Sequence, residues 1–218
     1  MSKSTIEDWK KLRRLVSFFK GTINNKWMIG VISLENMHTW IDAVYGVYND
    51  MRSQTGGSTA LGWGIIHEKS TIQKLNTKSS TESEVVGFSD YLPHNIQIKN
   101  FLQYQGYHIK NNVLYQDNQS AIRMEENGRN SCTGNSRHID IRYFFSKDRV
   151  DKKEISIKYC PTTKMLADFF TKLLQGNFFR DILMGYVSIE EIIKDDIEMK
   201  ERVGFSVENP ILESTSRK

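Results

Sequence analysis

Cysteine is scarce: Cys132 and Cys160 are the only two in 218 residues. They form neither a metal-spacing pair nor a disulfide framework, which excludes a disulfide-stapled scaffold and a cysteine-built zinc module and suits a reducing compartment. Long apolar runs are missing too. None approaches the roughly 20 residues that a membrane span needs, and the opening MSKSTIEDWKKLRRL is charged, without the apolar core of a signal peptide. A secreted or membrane-inserted protein is therefore not expected, and there is no internal repeat. Strong charge is also lacking, since the net value is only +4. The charge is nevertheless unevenly placed: residues 1–30 carry seven Lys/Arg against two acids, residues 111–187 twelve against nine, and residues 188–218 five against eight. A basic start and middle with an acidic tail fit a weakly basic face for a polyanion, or ordinary solvated helix faces.

What is present, 39% hydrophobic and 11% aromatic residues, is enough for one domain with extensions. The stretch 5–21 places Trp9, Leu12, Leu15, Val16 and Phe19 at helical spacing, with Ser4 or Thr5 as N-cap and Gly21 as stop. KWMIGVIS and HTWIDAVYGVY read as strands, NDMRSQTGGS as a turn, and TALGWGIIH and STIQKLN as two further strands of a meander. From Ser79 or Ser80 to Gly106 the period becomes helical, and Pro93 is expected to kink or split that helix. NNVLYQD then reads as a strand, NQSAIRMEENG as a helix, RHIDIRYFFSKDRVD as a helix by its length, EISIKYC as a strand and TTKMLADFFTKLLQG as a last long helix. The tail after residue 187 reads as a surface helix followed by a disordered end. The fold class that follows is α/β: a mixed five-stranded sheet, a three-strand meander plus βα units, flanked by helices.

On this layout four acids stand in telling places. Asp42 lies inside the first strand between Ile41 and Ala43, where an unpaired charge is costly. Glu82 sits in the first turn of the long helix, Asp117 ends the fourth strand, and Asp168 interrupts an apolar run in the last helix. If the first and fourth strands are neighbours, these carboxylates can converge, and such a cluster makes sense with divalent cations to neutralise it. Oxygen-only ligands select Mg²⁺ or Mn²⁺ over zinc. Each acid also has a local explanation: Glu82 can complement the helix dipole, Asp117 can precede a helix cap, and Asp168 can pair with Lys164 or Lys172.

STESE, YQDNQSAI, SRHIDIRYFF and YCPTTKMLADFFTK together closely resemble the ribonuclease H domain of copia-type LTR retrotransposon polyproteins, nearest to elements of the diatom kind. The resemblance runs from about residue 5 to about 187, and DWKKLRRLVSFFKGT resembles the connection helix from the reverse transcriptase. It implies a ribonuclease H-like fold in three parts: 1–36 as connection helix and linker, 37–187 as the domain, and 188–218 as a charged tail. The polymerase's paired catalytic aspartates are not in this chain, which is read as a polyprotein fragment or a degenerate insertion, without polymerase activity of its own.

The resemblance further implies a set of four metal-binding catalytic acids: Asp42, Glu82, Asp117 and Asp168. Glu84 is the rival to Glu82, and Glu82 is preferred because it follows Thr81 as in the family pattern. Two Mg²⁺ ions, or Mn²⁺, would serve hydrolysis of the RNA strand of an RNA/DNA hybrid. The hybrid is expected to meet Arg52, Ser53, Thr55, Gly56 and Gln119, with Arg129, Arg137, His138 and Arg142 near the DNA strand. The partners implied are that hybrid and the polymerase domain of the same polyprotein, with no membrane. The implied location is intracellular: cytoplasmic, in virus-like particles, or nuclear.

Two departures from the family stand out. The loop YCPTTKML has no histidine where ribonucleases H often carry one, a place His138 could take, and Val44 replaces a second aspartate common in copia-type elements. The rival readings are a non-catalytic nucleic-acid-binding remnant and an integrase-type core, whose last acid would be a glutamate on a later helix.

Overall fold

The computed structural model describes residues 4–24, 29–31, 33–62, 64–127, 137–177 and 179, without the side chains of 137–141 and 143. Helix α1 (Ile6–Thr22) starts at Thr5, whose hydroxyl accepts from the Asp8 amide while Asp8 reaches back to the Thr5 amide. This reciprocal cap satisfies donors that a helix start leaves open. None of its residues is buried, so the apolar stripe of Trp9, Leu12, Val16 and Phe19 faces solvent.

The sheet is assembled from β1 (Asn36–Val44), β2 (Gln54–Ala60), β3 (Ile65–Ile72), β4 (Asn111–Gln116) and β5 (Ser156–Tyr159) in the order β3-β2-β1-β4-β5. The meander pairs are antiparallel, whereas β1–β4 and β4–β5 are parallel. The mixed five-stranded sheet expected from the sequence is thus what forms. Helices α2 (Ser80–Tyr104), α3 (Gln119–Asn127) and α4 (Arg137–Asp151) precede or follow the parallel strands, and the four-residue α5 (Asp168–Thr171) comes last.

Alternation along β1 divides the core. Ile41 packs with Leu114, Ile155 and the α2 residues Phe88, Tyr91 and Leu92 on one face. Trp40 packs with Val113, Tyr115, Met165, Leu166 and Ala167 on the other. The sheet is therefore covered by α2 and α4 on one side and by the segment leading into α5 on the other. At roughly 1.5–3 kcal/mol for each fully buried large apolar side chain, these two clusters hold the central strands firmly.

Several expectations need correction. Among the described residues of KWMIGVIS there is no strand, and β1 ends at Val44, earlier than HTWIDAVYGVY suggested. The Gly-Gly pair lies inside β2, not in a turn. A Cβ on Gly57 would come within 2.2 Å of the Tyr91 ring and one on Gly56 within 2.6 Å of Thr171, so the pair admits α2 and α5 closely from opposite faces. TALGWGIIH is divided between the end of β2 and the start of β3. Helix α2 runs through Pro93 as one element; Pro93 is exposed, and water can serve the carbonyl left without its donor. The expected last long helix is broken into a 3-10 turn at Thr162–Lys164 and the short α5. Between them Met165, Leu166 and Ala167 are drawn flat against the core, while Leu173 is 98% exposed. The tail after residue 187 lies outside the described residues.

Candidate metal centre

The register of the parallel pair creates the site. Trp40 lies opposite Tyr115, so two residues further along, Asp42 and Asp117 arrive side by side on the same face at the carboxyl edge of the sheet. Asp168, at the start of α5, descends onto them because Gly56 lets α5 approach. One oxygen from each of Asp42, Asp117 and Asp168 lies within 4.8 Å of the others, an arrangement that could hold a metal ion.

Hydroxyls and one lysine orient these acids. Thr171 donates through Oγ1 to Asp42 Oδ2, and Thr162 Oγ1 donates to Asp117 Oδ2 at 2.9 Å. Lys172 Nζ lies 2.6 Å from Asp168 Oδ1 and 3.5 Å from Asp42 Oδ1. The pairing of Asp168 with Lys172 expected from their spacing is present.

Burial sets the electrostatics. It is the main cause that raises Asp42, with the Asp117 charge adding to it and Thr171 and Lys172 opposing. Asp168, 3% exposed, is pushed up to about 6, again chiefly by burial and despite Lys172. Lys172 is raised: the carboxylates around it outweigh its own desolvation. Oxygens alone, mutually repelling and out of water, suit a hard divalent cation.

The fourth acid differs from expectation. Glu82 is spent at the start of α2: its amide donates to Ser79 Oγ at 3.2 Å and its Oε2 accepts from the Lys78 amide at 2.7 Å. Two residues on, about 200° around the helix, Glu84 points inward instead, 5% exposed. Burial raises Glu84 well above the usual carboxylate range, with Asp42 and Asp117 contributing. Of the two, Glu84 is the one whose buried carboxyl feels Asp42 and Asp117, while Glu82 stays at the cap.

Behind Glu84 lies a residue that sequence reasoning missed. Glu125, fully buried in α3, is raised well above its ordinary value by burial and then by the Glu84 charge, while Gln116 lowers both acids. Its signal was position: Glu125 falls one turn after Ala121 and Ile122 on the inward face of α3, where Glu126 does not.

Several expected substrate contacts are built into the scaffold. Ser53 is buried, accepting from the Gly46 amide and bonded to Thr77. Thr55 accepts from Gln73 at 3.0 Å inside the sheet, and Gly56 lies under α5. Arg142 pairs with Asp90 at 2.5 Å and joins α4 to α2. Ser53, Thr55 and Gly56 are buried, whereas Arg142 stays partly exposed. Arg52 is partly exposed and paired with Asp50 at 2.6 Å, and Gln119 is exposed at the start of α3, beside Asp117. Arg129 and the side chains of Arg137 and His138 lie outside the described residues. Cys160 is buried and its thiol is pushed up to about 12 by that burial, so it offers no thiolate here; Cys132 also lies outside the described residues.

Sheet order and acid placement define the class: an α/β fold whose mixed five-stranded sheet, flanked by helices, carries an acidic cluster at the carboxyl edge of its central strands. The chain's relatives are retrovirus-related Pol polyproteins of plant transposons. That of transposon TNT 1-94 from Nicotiana tabacum is 29% identical over 174 residues, 79% of this chain and 13% of the relative. That of transposon RE1 from Arabidopsis thaliana is 27% identical over 183 residues, 83% of this chain and 12% of the relative. The chain thus spans about an eighth of the length of these relatives. No family model matches. Similar solved structures include RNase H1 from Halobacterium salinarum, with TM-score 0.44, 12% identity, and coverage of 61% of this chain and 90% of that one. A foamy viral protease-reverse transcriptase in complex with RNA/DNA hybrid has TM-score 0.43, 14% identity, and coverage of 63% of this chain and 19% of that one.

Proposed function

We propose that this chain is the ribonuclease H region of a copia-type retrotransposon polyprotein, of the diatom kind, and cleaves the RNA strand of RNA/DNA hybrids during reverse transcription. The convergence of Asp42, Asp117 and Asp168 at the carboxyl edge carries the reading, and the Pol polyprotein relatives supply its setting. Residues 1–36 would be the connection segment, 37–187 the nuclease and 188–218 an appended tail, with the polymerase of the same polyprotein as partner.

Asp42, Asp117, Asp168 and Glu84 would hold two Mg²⁺ ions, or Mn²⁺, and the ions would supply an activated water and charge stabilisation at the departing 3′-oxygen. The chain's own contribution is orientation. Thr171 holds one oxygen of Asp42, and Thr162 holds one oxygen of Asp117. Fixing rotamers in this way spares reorganisation when charge develops. Gln119, exposed two residues beyond Asp117, would meet 2′-hydroxyls across the shallow minor groove, and Arg52 would meet phosphate.

Cleavage of an end-labelled RNA/DNA hybrid tests the proposal, with EDTA and Asp117→Asn as controls. Loss of the RNA strand alone, abolished in both controls, is expected. Hybrid binding without cleavage at any Mg²⁺ or Mn²⁺ concentration would move the reading to a non-catalytic binding remnant.

A further inference from the structure

Lys172 stands where a cation is wanted. It directly follows α5, its amide donates to the Asp168 carbonyl at 2.8 Å, and its ammonium returns to the Asp168 carboxylate. Tied at both ends to Asp168, the side chain reaches on to Asp42 and so bridges two of the three clustered acids while staying about one-third exposed. A surface lysine has no reason to sit in so acidic a recess except the charge it neutralises, and exposed ion pairs alone are worth little. Here the pair is largely withdrawn from water on the carboxylate side, where Asp42 and Asp168 are 3% and 4% exposed as side chains, so the attraction is screened less.

We infer that Lys172 is a resident competitor of the metal: its ammonium occupies the cation position between Asp42 and Asp168 and must swing out before a divalent ion can engage those oxygens. This rests on the metal-centre reading above and adds the residue that sets the affinity of the centre. The exposed flank of the side chain gives it an exit to solvent, and no covalent or backbone change is needed. The consequence is quantitative. A site open only a fraction f of the time binds with an apparent dissociation constant larger by 1/f, so an ammonium resident about nine-tenths of the time weakens metal binding about tenfold. In exchange it stabilises the metal-free protein.

The test is calorimetric titration of the full chain with Mg²⁺ and with Mn²⁺, comparing the wild type with Lys172→Met and with Lys172→Gln. Both variants are expected to bind about tenfold tighter and to melt at lower temperature than the wild type in EDTA. Equal affinity in all three overturns the inference and leaves the metal centre standing. No binding by any of them at millimolar metal overturns the metal centre itself. Should the variants fail to fold, the wild type still decides. With lysines carrying ¹³C-methyl labels, the Lys172 signal, assigned by its loss in Lys172→Arg, is expected to move toward a free lysine position on metal addition; a signal unmoved at saturating metal refutes the competition.

Discussion

Replacing Asp168 by Asn separates the electrostatic account of the site from a merely steric one. In the metal-free protein Asp168 is pushed from its ordinary 3.8 up to about 6, mainly by burial. A carboxyl raised on folding is protonated more readily in the native state than in the unfolded chain. Between those two values the native state therefore binds more protons, and stability falls as pH rises through that window. At 1.36 kcal/mol per unit the full loss approaches about 3 kcal/mol above pH 6, with relaxation and water entry reducing it. Asparagine mimics the protonated acid. In EDTA the variant should match the wild type near pH 4 and exceed it by about 1–3 kcal/mol at pH 8, read from urea unfolding midpoints at both values. Adding Mg²⁺ should reverse the order at pH 8, because only the wild type regains a full ligand set. A variant equally or less stable than the wild type at pH 8 in EDTA would refute the reasoning, since the Lys172 pair would then outweigh the burial of the charge.

Glu84→Gln should reduce hybrid cleavage by about 10–100-fold or more, whereas Glu82→Gln should leave turnover nearly unchanged and cost about 0.5–1 kcal/mol of stability through the α2 cap; paired kinetics and melts check both. Gly57→Ala forces a Cβ to 2.2 Å from the Tyr91 ring, and should destabilise by about 1–3 kcal/mol in denaturant titration. Glu125 is fully buried and raised, so by the same sign the wild type loses stability as pH climbs above the ordinary carboxyl range. Glu125→Gln should flatten that slope and be the more stable protein at pH 8; an unchanged slope would show that Glu125 carries no excess proton.

How far the sequence could be read follows from which signals are local. Asp42 was visible because it lies inside a strand between apolar neighbours and Asp117 because it directly follows one, and parallel pairing of β1 with β4 then brings them together. The strand content of QTGGSTA was hidden because glycine usually marks a turn, and only the tertiary approach of Tyr91 and of Thr171 explains the pair. Glu82 and Glu84 differ in role through helix phase, which turns on one residue of register at the cap: Ser79 caps, Glu82 closes the first turn, and Glu84 faces in. The last helix looked continuous because Met165, Leu166, Phe169, Phe170 and Leu173 keep helical spacing. Packing of Met165 and Leu166 beneath Trp40 prevails over that propensity and leaves only the short turn that delivers Asp168. The buried role of Ser53 and Thr55 was hidden for the reason that hid β2: residues read as a loop are read as accessible.

The same turn couples metal to proton. Raised carboxyls and one lysine are what the metal-free site uses to tolerate its own charge, so a divalent ion entering it must displace protons as well as the Lys172 ammonium. Asp168 alone requires affinity to fall by up to about tenfold for each unit of pH below about 6. Above that value the dependence from this group vanishes. Mg²⁺ titrations at pH 5, 6 and 8, each in two buffers of different ionisation enthalpy, read the affinity and the protons released separately. The share of the release that comes from Asp168 is expected near pH 5 and falls away above about pH 6, because an acid made reluctant to ionise by burial is one a cation must recruit. Affinity constant from pH 5 to 8 would mean that Asp168 is already ionised in the free protein, and that its pairing with Lys172 rather than its burial governs the site.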